Sequence, residues 1–97
     1  MILNVKKYQY IKNCDTEKAY AVKYSKYSNT MVFLSKKFTV RKFTEVKDNG
    51  EIMQRYFTFE FPDWMFSRMD ENQREELLAI QKEWDEWNEK YKPSWED

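Results

Sequence analysis

Histidine does not occur in the 97-residue chain, and cysteine and glycine occur once each, as Cys14 and Gly50. Each scarcity closes a class of chemistry. Without histidine, and with a single thiol, the usual zinc-ligand sets and the Ser–His and Cys–His nucleophilic pairs cannot be assembled. A metal would have to be held by carboxylates alone. The lone glycine excludes the Gly-rich phosphate cradles of dinucleotide-binding and P-loop proteins, which need several glycines at fixed offsets. One cysteine forms no internal disulfide, and Asn4, Lys6 and Lys7 interrupt the apolar run after Met1, which points to a reducing, cytoplasmic setting. No stretch approaches the roughly 20 apolar residues that a membrane span requires. The expectation is a non-enzymatic protein with no cofactor, no metal site and no membrane contact. Asp63, Asp70 and Glu71 cluster near a turn, but helix capping accounts for Asp63 and Asp70 without a magnesium ion.

What is present is charge and ring. The chain is 35% charged, 41% hydrophobic and 19% aromatic, the profile of a single globular domain over residues 1–97. Residues 1–50 hold eleven of the 17 Lys and Arg but four of the 17 Asp and Glu, so the halves carry about +7 and −7 while the total is zero. Such asymmetry shapes an electrostatic field rather than a fold. Many of the aromatic residues, among them Tyr8, Tyr10, Tyr20, Tyr24, Tyr27, Phe33, Phe38 and Phe43, are interleaved with the basic half. Together they propose a binding surface.

The pattern predicts an α+β domain in which an antiparallel, meander-like sheet of four or five strands over 1–61 precedes helical structure over 63–92 and a frayed tail, 93–97. Residues 2–12 are rich in β-branched and aromatic types and end at Asn13-Cys14-Asp15-Thr16; residues 18–26 alternate; residues 30–34 form a short apolar run. Asn49-Gly50 is a type I′ turn signal, since both central residues of that turn need positive φ. If Asp48 and Glu51 flank it, Val46 pairs with Met53, Thr44 with Arg55, Lys42 with Phe57 and Val40 with Phe59 on one face, while Lys47 with Ile52 and Phe43 with Tyr56 share the other. Pro62 ends the sheet, Asp63 caps a short helical turn, and Asp70 with Gln73 forms a capping box for a long helix. On that helix Leu77, Ile80, Trp84, Trp87 and Tyr91 make one apolar seam among many acids.

Three candidate surfaces follow. Phe43 and Tyr56, ringed by Lys37, Arg41 and Lys47, would form a platform for single-stranded DNA or RNA, because bases stack on exposed rings and cations neutralise phosphates. The plainer reading is cross-strand aromatic packing, with the lysines solvating strand edges. The acidic helix, through Glu83, Glu86 and Glu89, would let the protein imitate a nucleic acid and occupy the basic channel of a host protein; acids on a solvent-facing helix are also ordinary. Trp84, Trp87 and Tyr91 would support a symmetric homodimer, or simply cover the sheet.

Ser35-Lys36-Lys37 entering a strand, Asn49-Gly50, and Phe59-Glu60-Phe61-Pro62-Asp63-Trp64-Met65 leading into a helix give the chain a layout, over roughly residues 18–70, that resembles small bacteriophage early proteins. That resemblance implies a small protein of the host cytoplasm that binds single strands or disables a host factor, and it transfers no functional residue. The layout also looks like the single-strand-binding transcription coactivators, in which a curved four-stranded sheet precedes a dimerising helix.

Overall fold

The two-residue turn forms at Asn49-Gly50. In the computed structural model, which describes residues 1–90, these residues have φ of 52° and 81°, the left-handed pair that a type I′ turn requires. They join β4 (Val40–Asp48) to β5 (Glu51–Glu60). Beside the turn the pairing is the expected one, Asp48 with Glu51 and Lys47 with Ile52. The ladder then slips: Val46 faces Gln54, so Met53 is an extra residue, a β-bulge, and every later pair is displaced by one. Phe43 lies opposite Phe57 and Thr44 opposite Tyr56. The expected pairing of Phe43 with Tyr56 is thereby corrected, because neighbouring residues on a strand face opposite ways and the two rings end up on opposite faces of the sheet. The slip has a physical gain. It puts Arg41 and Phe43, instead of Lys42 and Thr44, on the face that carries Phe57 and Phe59 and meets the rings of Tyr10 and Tyr20.

On the other side of β5 lies β1 (Ile2–Lys6), antiparallel, with Leu3 opposite Phe59 and Val5 opposite Phe57. The resulting order is β1-β5-β4. A separate antiparallel pair is formed by β2 (Ala19–Val22) and β3 (Val32–Ser35). The α+β class and the order of parts are as expected, but the five strands among the described residues divide between two sheets, with the first strand beside the last. One cause is that the extended segment expected over 2–12 turns a corner. Lys7–Gln9 and Lys12–Cys14 are 3-10 turns, the side-chain oxygen of Gln9 accepts the Lys6 N–H at 2.8 Å, and Tyr10 makes an isolated bridge to Val22 in the second sheet.

Both sheets and the long helix meet in one core. Leu3, Val5 and Phe59 from the first sheet, Val22, Val32 and Leu34 from the second, and Leu77 and Ile80 from α2 (Glu71–Lys90) are all fully buried. Met65 adds to it from α1 (Asp63–Arg68). Asp63 does not cap this turn as expected: Pro62 holds the capping position, and the Asp63 carboxylate takes the amino group of Met1 at 2.8 Å. The capping box of α2 is present, with Gln73 N–H donating to Asp70 Oδ1 at 2.8 Å and Asp70 N–H to Gln73 Oε1 at 3.1 Å. The expected helix end at residue 92 and the tail 93–97 lie outside the described residues. No helix among those residues is long and apolar enough to cross a membrane. Asp70→Ala removes one side of the reciprocal cap; it is expected to lower unfolding free energy by about 1 kcal/mol, read as a reduced urea midpoint with an unchanged slope.

Candidate nucleic-acid interface

Ser35 ends β3, and a tight turn closed by Phe38 N–H on the Ser35 carbonyl at 3.2 Å carries the chain into β4. Lys36, Lys37 and Phe38 project from it, and each meets a ring or a cation. Lys37 Nζ lies 5.4 Å from the Phe38 ring centre, and Phe38 packs edge-to-face on Trp64 at 5.0 Å. Arg68, one helical turn beyond Trp64 on the same face of α1, sets its guanidinium 5.2 Å from the indole. Phe38 and Trp64 are 43% and 44% exposed, so water reaches both rings while a cation sits on each.

Lys36, beside Lys37 on the chain, reaches toward the sheet face instead. Its Nζ is 5.2 Å from the Tyr20 ring, and the Arg41 guanidinium approaches the same ring at 5.1 Å. Arg41 Nη1 also donates to the Tyr10 hydroxyl at 2.8 Å, and that hydroxyl donates to Asp15. Burial and the Asp15 hydrogen bond push the Tyr10 pKa up, against the opposing pull of Arg41. Phe43, two residues along β4 from Arg41, rests on Phe57 at 5.0 Å and remains 49% exposed. The result is a run of rings and cations in two groups joined through Lys36-Lys37: Phe43, Arg41, Tyr20 and Lys36 on the sheet face, then Lys37, Phe38, Trp64 and Arg68.

Of the five residues expected to contact nucleic acid, three fall in this run, Lys37, Arg41 and Phe43. Lys47 pairs with Ile52 at the hairpin tip, and Tyr56 is on the opposite face, packed against Trp84 at 4.5 Å. Trp64 and Arg68 were not singled out as contacts by sequence reasoning; their spacing of four on a short helix was the available signal, but nothing local links them to Phe38.

The acidic helix turns part of its charge inward. Glu83 accepts from Lys6 Nζ at 3.1 Å, from the Tyr8 hydroxyl at 3.1 Å and from Gln9 Nε2 at 2.8 Å, while Glu76 accepts the Tyr24 N–H at 2.8 Å. Glu86 and Glu89 are exposed. The expectation that Glu83 stands with them as an outward acid is corrected by these three donors. Trp84, expected at a dimer contact, packs on Tyr56, and Trp87 lies beside it at 5.7 Å with Lys6 Nζ at the same distance from its ring. Tyr91 lies outside the described residues. Among those described, no group of three or more Asp, Glu or Cys side chains is arranged to hold a metal.

Comparison with protein-family models, with curated proteins and with solved structures returned no match.

Partial burial, and then the hydrogen bond the hydroxyl donates to the Glu83 carboxylate, push the Tyr8 pKa up to about 12. A group held above its unfolded value of 10 contributes stability that is complete below pH 10 and is lost as pH rises through the folded value. Unfolding free energy is therefore expected to fall between pH 10 and about 12, and Tyr8→Phe should flatten that decline. Glu83→Ala strands the Gln9 and Lys6 donors and is expected to cost about 1–3 kcal/mol in urea denaturation at neutral pH.

Proposed function

We propose that this protein is a non-enzymatic binder of single-stranded nucleic acid that uses the ring-and-cation run from Phe43 to Arg68. The observation that carries this reading is the pair Phe38 and Trp64, two half-exposed rings in edge contact at 5.0 Å, each with a cation within 5.4 Å of its centre. Bases stack on such rings with about 1–3 kcal/mol each by alanine substitution, with little regard to sequence, while Lys37, Arg68, Lys36 and Arg41 neutralise the phosphates that follow. Rings spaced along a turn and a sheet face suit a flexible strand, whose bases can splay. A duplex keeps its bases stacked internally and offers rings nothing to hold. Phe43 extends the same surface along β4, whereas Tyr56 is engaged with the helix and contributes no stacking.

Capture of a host protein through α2 is the competing reading, and the exposure of Glu86 and Glu89 favours it. Its acidic face is reduced by the internal engagement of Glu83 and Glu76. The resemblance to phage early proteins accommodates either target.

A gel-shift panel of single-stranded DNA, single-stranded RNA and duplex, run at two salt concentrations, tests the proposal. Affinity for single strands should exceed that for duplex and fall as salt rises. Phe38→Ala combined with Trp64→Ala should weaken single-strand binding by roughly tenfold or more with the circular dichroism spectrum unchanged. Glu86→Lys with Glu89→Lys should leave binding intact or improve it. Equal affinity of the ring double mutant and the parent protein would remove this surface from the account.

A further inference from the structure

A second site stands apart from that run, between the C-terminal half of α2 and the β5 side of the hairpin. It is an open cleft of about 320 Å³, lined by Lys6, Lys7, Tyr8, Met53, Gln54, Arg55, Trp84 and Trp87, and its size falls within the lower range of small-molecule sites. The bulge helps to shape it, since Met53 is the extra residue and Gln54 is the first to pair beyond it. We propose that this cleft binds a mononucleotide, a planar base carrying one phosphate, independently of strand binding elsewhere on the molecule.

Two features define the occupant. The first is a group of rings: Trp84 and Trp87 lie 5.7 Å apart at 34°, and Tyr56 packs on Trp84 at 4.5 Å. A flat heteroaromatic base matches such rings in shape and polarisability. The second is charge, since among the described lining residues three are cations and none is an acid. Lys6 is held by Glu83 at 3.1 Å and lies 5.7 Å from the Trp87 ring, and Arg55 turns across from β5 to Glu45 at 3.6 Å, on the face opposite Tyr56. Lys7 is exposed beside them. An anionic group at the cleft thus meets Lys7. Gln54 adds specificity: its Nε2 is shielded from water and has no acceptor among the described residues. Its terminal amide turns on a soft torsion, so a base carbonyl at the cleft floor supplies the missing acceptor.

Titration of the protein with UMP, GMP, uridine and inorganic phosphate, followed by tryptophan emission, tests the proposal. UMP or GMP should quench emission saturably, with uridine and phosphate each at least about tenfold weaker, as expected when one recognition element is missing. Lys7→Glu and Gln54→Leu should each weaken mononucleotide binding by about tenfold. The Phe38→Ala, Trp64→Ala protein should bind mononucleotide with parental affinity, which separates failure of this site from failure of the strand-binding surface. Absence of saturable quenching by both mononucleotides overturns the proposal. So does parental affinity in Lys7→Glu, an exposed position where the substitution leaves the fold intact.

Discussion

One carboxylate fixes how the long helix sits on the rest of the molecule. An apolar seam alone would let α2 slide or roll against β1, because burial of Leu77 and Ile80 is non-directional. Glu83 removes that freedom by receiving Lys6, Tyr8 and Gln9, all from the strand end and the turn that follows it. Gln9 is 1% exposed and fully used: its oxygen takes the Lys6 N–H, and its amide nitrogen reaches both Glu83 and the Tyr24 carbonyl. A part-buried polar network centred on a buried, fully bonded Gln9 selects one arrangement over near alternatives, whereas an unsatisfied Gln9 would favour separation. With the helix locked at this point, Trp84 meets Tyr56.

The same logic explains how so many rings coexist with so little core. Tyr10, Tyr20, Phe57 and Phe59 form edge-to-face and tilted contacts between the two sheets, and Arg41 closes the group by lying against both tyrosines while donating to one of them. Arginine suits this place because its planar group stacks and donates at once, which a lysine ammonium does not. The one arginine of the basic half is therefore partly structural. Lys36 and Lys37 beside it lie over the Tyr20 and Phe38 rings.

Local signals were legible and non-local ones were not. Asn49-Gly50, the capping box at Asp70 and Gln73, and the Leu77–Ile80–Trp84–Trp87 seam all depend on residues within a few positions of one another, and each appears in the structure. The bulge at Met53 leaves only a faint mark, two adjacent apolar residues, Ile52 and Met53, where alternation calls for one. That single slip separates Phe43 from Tyr56 and dissolves the expected platform. Pairing of β1 with β5 carries no local mark at all, because Leu3 and Phe59 are ordinary strand residues that recognise each other only through burial. Phe38 and Trp64 were likewise invisible as a pair: they meet because a turn after β3 and the first turn of α1 arrive at the same corner.

The place of β1 also sets the order of events during synthesis. Ile2 lies opposite Glu60, and the Glu83 carboxylate that holds the turn after β1 is made 77 residues after its partner Lys6. Until residue 60 is made the first strand has no β5 to pair with, and until α2 follows it has no cover. The hairpin around Asn49-Gly50 can close once residue 60 is made, and only then does the opening strand have its partner, while the contact from Glu83 must come later still.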